Sequence, residues 1–370
     1  MLAPFYVFTS GLPQPADFII LTGLVPCLAI SFLNKKSDVE NVYIAGIMFG
    51  GLAFLINLIH YVFLPDFKFV LSSAFYIYNL MVFMFAAIIG MRNIEAFRRV
   101  TYYCILATIA VQFLVTVFLA IQTSIRPTGT FNNPNQLGYW AMLSACMLFV
   151  LKGRKFLNIL DYLALAALFY IQLLSLSKAV MLTFGFVVIF GMLSPLTHFF
   201  QKIVTVFITL SIMIFAIYSF DTVVEGAMQS EVVQNATKRI SGIGGQADDS
   251  VAGRGYIRMA THPEYLLFGA GEGGFKRFPP TFSDQELHSG IATMIFSYGI
   301  LGALAFGAFL FFVFRKAPWF YIAFMIPIIG YGLTHQNFRN TYFWAFLAAV
   351  YILKRLWWDE ARKINWEKKQ

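Results

Sequence analysis

Long apolar runs separated by short polar turns constrain this sequence more than anything else in it. A helix needs about 20 mostly apolar residues to cross the hydrocarbon of a bilayer. Such runs fall near 16–33, 41–63, 69–91, 100–121, 136–151, 157–174, 178–194, 202–220, 289–314, 318–333 and 341–357. The stretch 157–194 would overshoot the bilayer as one helix, so it is divided at Ser175-Leu176-Ser177-Lys178. In lipid every backbone N–H and C=O must be paired within protein, which admits only helices or a closed barrel. The runs lack the alternation of barrel strands. Only 12% of the residues are charged, against about a quarter in a soluble domain. The predicted fold is therefore an all-α polytopic membrane protein with about 11 transmembrane helices. Helices 1–8 occupy 1–220, a long external loop with short helices occupies 221–288, helices 9–11 occupy 289–357, and 358–370 is a basic cytoplasmic tail.

Cys27, Cys104 and Cys146 all fall in apolar runs, where an odd count argues against a disulfide framework or a zinc site. The first seventeen residues hold no Lys or Arg, so the charged start of a cleavable signal is not expected. Lys and Arg in short loops are retained in the cytoplasm. With the N-terminus outside, the inside segments carry Lys35-Lys36, then Arg92, Arg98 and Arg99, then Lys152, Arg154 and Lys155, then Lys202, then Arg315-Lys316. The C-terminal tail adds Lys354, Arg355, Arg362, Lys363, Lys368 and Lys369, so 17 of the 27 basic residues lie inside. Trp357-Trp358 followed by mixed charge suits an interfacial helix on the inner leaflet. The net charge of +9 is thus mostly a topology signal and no nucleic-acid partner is expected.

Topology does not explain the cations left on the other side: Arg126, Lys178, Arg254, Arg258, Lys276, Arg277 and Arg339, with His262, His288 and His335. A cation at the disfavoured membrane edge points to an anionic partner; the competing reading is a snorkelling or loop-paired side chain. In loop 122–139, Pro and Gly stop one helix, and Asn135 is the expected N-cap of the next, beside Arg126. A helix N-terminus there could hold an anion. Arg254 and Arg258 are four apart and share a helical face. Leu267-Phe268-Gly269-Ala270-Gly271-Glu272-Gly273-Gly274 allows close backbone approach, but it lacks the strand and the Lys-Ser/Thr of a nucleotide-binding loop.

In order along the chain, Gly129-Thr130-Phe131-Asn132-Asn133-Pro134-Asn135-Gln136-Leu137-Gly138, Ser175-Leu176-Ser177-Lys178, Gly253-Arg254, Leu267-Phe268-Gly269-Ala270-Gly271 and Leu287-His288-Ser289 resemble the O-antigen ligase and polymerase family of bacterial membrane glycosyltransferases. Ser10-Gly11-Leu12-Pro13-Gln14-Pro15-Ala16-Asp17 is also similar to family polymerases, and the resemblance spans almost the whole chain. Two positions depart from the pattern: Lys178 stands where Arg is usual, and Ser289 where Asn commonly follows the histidine. Lys gives a point charge without the bidentate fork.

The resemblance implies a GT-C-type helical body in the bacterial inner membrane, with its active site on the external side. The implied donor and acceptor are undecaprenyl-diphosphate-linked glycans, polymerised into O-antigen or exopolysaccharide. Membrane lipid, a chain-length regulator and a flippase are the implied partners. It also implies that Arg126 and Arg254 grip the diphosphate, that Lys178 and Arg258 add charge, and that His288 lies beside the reacting sugar. Placed cations would stabilise charge developing on the leaving diphosphate. His288 is the first candidate base; Glu272, Asp284 and Glu286 are rivals, and Asn135, His335 and Arg339 are further candidates for meeting the acceptor. No cofactor and no metal are expected, since fixed cations already neutralise phosphate and Asp284-Gln285-Glu286 is the one acidic pair at DxD-like spacing on this side. A ligase of the same family, moving glycan onto lipid A core, is the near alternative. A lipid-linked oligosaccharide flippase is the alternative from another class.

Overall fold

The computed structural model describes residues 5–8, 13–33, 41–122, 127–175, 177–193, 256–278 and 286–367. Every regular element among them is helical. In chain order they are α1 (Pro15–Leu33), α2 (Asn41–Phe63), α3 (Phe67–Arg92), α4 (Ile94–Gln122), α5 (Pro134–Lys152), α6 (Ile159–Ser175) and α7 (Lys178–Leu193). There follow the short α8 (Ile257–Thr261) and α9 (Tyr265–Phe268), then α10 (Gly290–Phe314), α11 (Trp319–Ala323), α12 (Met325–Gly332) and α13 (Thr341–Glu367). The expected span 202–220 lies outside the described residues.

Among the described residues four helices are long and apolar enough to cross a membrane: α2, α3, α4 and α10. Their outer faces are apolar. Ile47, Met48 and Val62 of α2, Leu114 and Phe118 of α4, and Leu304 and Phe311 of α10 are all exposed. A surface of that kind suits lipid and would drive association in water. The chain is thus an all-α protein built for a membrane. Two helices form its axis. α5 is buried on every side from Leu137 to Lys152, and α13 is buried along most of 343–353. They pack on each other, with α3 against α13 and α6 and α7 against α5. An aromatic core fills the space between α2, α3, α10 and α13, where Phe49 meets Tyr76 edge-on at 5.5 Å and Phe309 stacks on Trp344 at 5.4 Å.

Local chemistry sets the helix boundaries. α6 and α7 separate where expected, with the Ser175 hydroxyl donating to Gln172 O at 2.8 Å and accepting from Ser177 N at 3.4 Å. At α5 the cap is Asn133, not Asn135: its Oδ1 accepts from Asn135 N at 2.7 Å. Pro134 explains the shift, because proline suits the first helical position and puts the cap immediately before it. The apolar run 318–333 forms two short helices, α11 and α12, rather than one. α13 runs through Trp357-Trp358 to Glu367 without a break, so the expected separate interfacial helix is a continuation of the last one. Lys, Arg, Glu, Leu and Ala dominate 354–362 and are strong helix formers.

The loop before α5 turns back into the bundle. Thr130 N donates to Gln112 Oε1 at 3.3 Å, and the Gln112 amide donates to Thr130 Oγ1. Gln112 lies roughly 15 Å along the axis from the C-terminal end of α4 at 1.5 Å per residue. Irregular backbone at such depth is tolerated where protein surrounds it. The N-terminal segment covers this loop: Tyr6 N bonds Thr130 O at 3.0 Å and Asn132 Nδ2 bonds Phe8 O at 2.8 Å.

Candidate functional site

The site lies at the end of the bundle that holds the C-terminus of α2 and the N-termini of α3, α10 and α13. Its foundation is a break in α10. Gly299 has φ +65° and ψ −178°, which no helix contains. In an unbroken helix the carbonyls of Phe296 and Ser297 would accept from residues 300 and 301. Here they accept from Ala270 N at 2.9 Å and Gly271 N at 2.8 Å. Segment 256–278 is thereby fastened to the interior of a helix. Both partners must lack a Cβ. One added to Gly299 would lie 2.4 Å from Leu267 O, and one added to Gly269 (φ +88°) would lie 2.4 Å from Ser297 O. The rest of this glycine-rich stretch is tied to the α2–α3 hairpin. Glu272 N donates to Asn57 Oδ1 at 2.7 Å and Gly274 N to Asp66 Oδ2 at 2.9 Å. These four N–H groups bind protein oxygens, so this stretch is a docking element and not a phosphate cradle.

The docking carries a charge inward. Glu272 is 1% exposed. Its Oε1 accepts from Arg339 through both Nε, at 2.9 Å, and Nη2. Gln336 Nε2 adds a third donor to Oε1 at 3.1 Å, and the Tyr298 hydroxyl donates to Oε2 at 2.6 Å. Burial pushes the Glu272 carboxyl up, and the Arg339 guanidinium pulls against it. Four donors on two oxygens suit the ionised form. Burial acts to lower Arg339, but Glu272 and Glu286 outweigh it and hold the guanidinium above the ordinary arginine range. Arg339 Nη1 reaches Glu286 Oε2 at 2.9 Å. Its carbonyl accepts from Asn79 Nδ2 at 2.8 Å, so α3 also fixes this turn.

A second basic residue is enclosed by rings. The Arg277 guanidinium sits 4.7 Å from the Phe278 ring centre, 5.4 Å from Phe69 and 5.6 Å from Tyr265. It donates to Ala270 O and lies 3.2 Å from His60 Nδ1. His60 Nε2 in turn lies 3.0 Å from Gly269 O. Burial lowers the Arg277 guanidinium. Cation–π contact with several rings recovers part of that desolvation cost.

The structure brings together some of the expected residues and not others. Arg126, Arg254, Asp284 and the Lys178 side chain lie outside the described residues, although the Lys178 backbone opens α7. Arg258 is 4% exposed and packs over Phe278 at 5.8 Å. His288 is exposed. It precedes Ser289, which caps α10 by accepting from Ala292 N at 3.1 Å. His335 is beside it, since its carbonyl accepts from Gly290 N at 3.0 Å. The His335 ring stacks on Tyr331 at 4.6 Å, and Tyr331 on Tyr139 at 4.5 Å. The backbone carbonyl of Asn135 joins the same stack by accepting from the Tyr331 hydroxyl at 3.1 Å. Glu272 is too enclosed to meet an acceptor hydroxyl, and Arg339, charged between two carboxylates, offers no base. They position each other. Exposed His288 and half-exposed Glu286 keep the access that a base needs.

Asn57, His60, Asp66, Tyr298 and Gln336 were missed in the sequence. Asn57 and His60 carried a signal: they are three apart in an apolar span, on one helical face. No family model matches the chain, and no curated protein is detectably similar to it.

Proposed function

We propose that the chain is a membrane glycosyltransferase that polymerises lipid-diphosphate-linked oligosaccharide repeat units on the external face of the bacterial inner membrane. One observation carries this reading. Basic and imidazole side chains gather at the end of the bundle where topology does not call for them. Arg258, Arg277, Arg339, His288 and His335 are placed there by α8, the 275–277 turn, the α12–α13 turn and the start of α10. The chemistry fits a lipid diphosphate leaving as a stabilised anion, with an accessible imidazole, His288, to take the acceptor proton. Arg126, Lys178 and Arg254 complete the proposed diphosphate grip. Reconstituted protein, given a lipid-diphosphate repeat unit without metal or nucleotide, is expected to make a ladder of longer glycans. Transfer to lipid A core alone would make it a ligase. Full synthesis by both Arg254→Ala and His288→Ala at normal expression would refute the site.

The broken helix favours a second reading. Discontinuous helices with buried charge are common at transporter substrate sites. Under it the same lipid would cross vesicle membranes and no glycan would lengthen.

A further inference from the structure

We infer that the outer edge of the Arg339 guanidinium is a phosphate site which the chain's own Glu286 occupies. The two edges of this side chain are held very differently. Nε and Nη2 face Glu272, whose side chain is 2% exposed. Glu272 is fixed by Tyr298 and Gln336, and its backbone by Asn57. That edge is committed. Nη1 faces Glu286, whose side chain is 38% exposed, while Arg339 itself is 17% exposed. Among the described residues Arg339 is the one partner of Glu286.

Charge explains why this second contact exchanges. Glu272 alone neutralises Arg339. Glu286 makes the cluster net negative, so an approaching anion is repelled while that carboxylate is in place. A half-exposed carboxylate gains little from its ion pair and leaves at small cost. A phosphate arriving in its stead gives the guanidinium planar, charge-assisted bonds with more oxygens and more charge. The exchange leaves no buried charge unpaired, because the guanidinium keeps two anionic partners throughout. Glu286 lies two residues before the exposed His288 in the chain. The proposed function identifies the phosphate as part of the lipid diphosphate; the exchange itself does not depend on it.

Inorganic pyrophosphate is the probe, titrated calorimetrically into the full chain in detergent at fixed low salt. Glu286→Gln is expected to bind it about 10-fold tighter than the native chain, the effect of one additional charge-assisted hydrogen bond. Glu286→Ala should bind as tightly as Glu286→Gln. The increase should vanish in Glu286→Gln with Arg339→Lys, which keeps the charge facing Glu272 but removes the second edge. Equal or weaker binding by Glu286→Gln, or an increase that survives Arg339→Lys, overturns the site. The glycan-ladder assay on the same samples separates this from the function. Tighter pyrophosphate binding by Glu286→Gln, with no transfer by the native chain, supports the phosphate site and removes the glycosyltransferase. Transfer with unchanged pyrophosphate affinity does the reverse.

Discussion

The two ends of the bundle use ion pairs for different purposes. At the basic end, Arg98 of α4 reaches Glu360 of α13 at 2.8 Å, and Lys152 of α5 reaches Asp161 of α6 at 2.6 Å. Lys354 donates to the carbonyls of Phe312 and Val313 at the end of α10. Each of these joins one long helix to another. At the opposite end, Glu272 and Glu286 belong to irregular segments, and the single Arg339 serves both. In the first arrangement each contact has its own helix-to-helix partner: Lys152 and Asp161 pair one to one, and Arg98 holds Glu360 across helices besides Glu95 of its own helix. The second has one carboxylate too many and an edge open to solvent. A fastening needs only matched partners; a site needs something that can be exchanged.

The contrast is broken most severely at Glu272. Glu272→Ala leaves Arg339 enclosed without its main partner, and removing one member of a buried pair costs about 3–5 kcal/mol. Thermal unfolding in detergent should show that loss, and transfer activity should disappear with it. Gly299→Ala tests the docking rather than the charge. The new methyl would meet Leu267 O at 2.4 Å and the residue would be held at φ +65°, a strain on the order of 1–3 kcal/mol. The measurement is proteolysis of 256–278 in the folded protein, which should become rapid while the basic end stays intact. Unchanged protection would mean that the helix break does not hold the segment.

The matched pairs should tolerate apolar replacement where the unmatched cluster does not. Lys152→Met with Asp161→Leu is expected to stay within about 2 kcal/mol of the native stability, because well-packed apolar side chains often replace a buried pair without loss. Transfer activity should persist. Glu272→Met with Arg339→Met removes a pair of comparable burial, yet it should abolish transfer even where unfolding is barely shifted. Loss of activity in both doubles would mean that the two ends do not differ in purpose.

The sequence announced the helices better than the site. Apolar length placed α2 at its observed bounds, and Ser175-Leu176-Ser177-Lys178 marked a true helix boundary. Pro134 carried the position of the α5 cap for anyone weighing its fixed φ against the turn chemistry of Asn135. The break at Gly299 was not legible, because a glycine in a transmembrane run is ordinary. It acquires meaning only opposite Gly269, 30 residues away in the chain. Arg339 was singled out as a cation that topology left unexplained. Its principal partner, Glu272, is 67 residues earlier, and no local rule pairs them. Asn57 and His60 were hidden differently: within an apolar run, two polar residues hardly alter the reading as a span, although they are what the docked segment needs.

The smallest expected effect sharpens the account of the basic end. Arg98 is pinned by Glu95 on its own helix at 2.7 Å and by Glu360 on α13 at 2.8 Å. Glu95 is 55% exposed and Glu360 only 19%. Glu360 Oε2 also accepts from Arg154 N at 3.3 Å, so it ties a third segment. An exposed pair three residues apart contributes about 0.3–0.5 kcal/mol and weakens with salt. Glu95→Gln should therefore shift the melting temperature barely at all, and less still at high ionic strength. Glu360→Gln should cost clearly more and resist salt. Equal costs would mean that Arg98 rests equally on two carboxylates and that their exposure does not rank them. Exposure would then be no guide to which contact of a shared arginine can exchange, at Arg98 or at Arg339, and the distinction between fastening and site would have to rest on the docked segment alone.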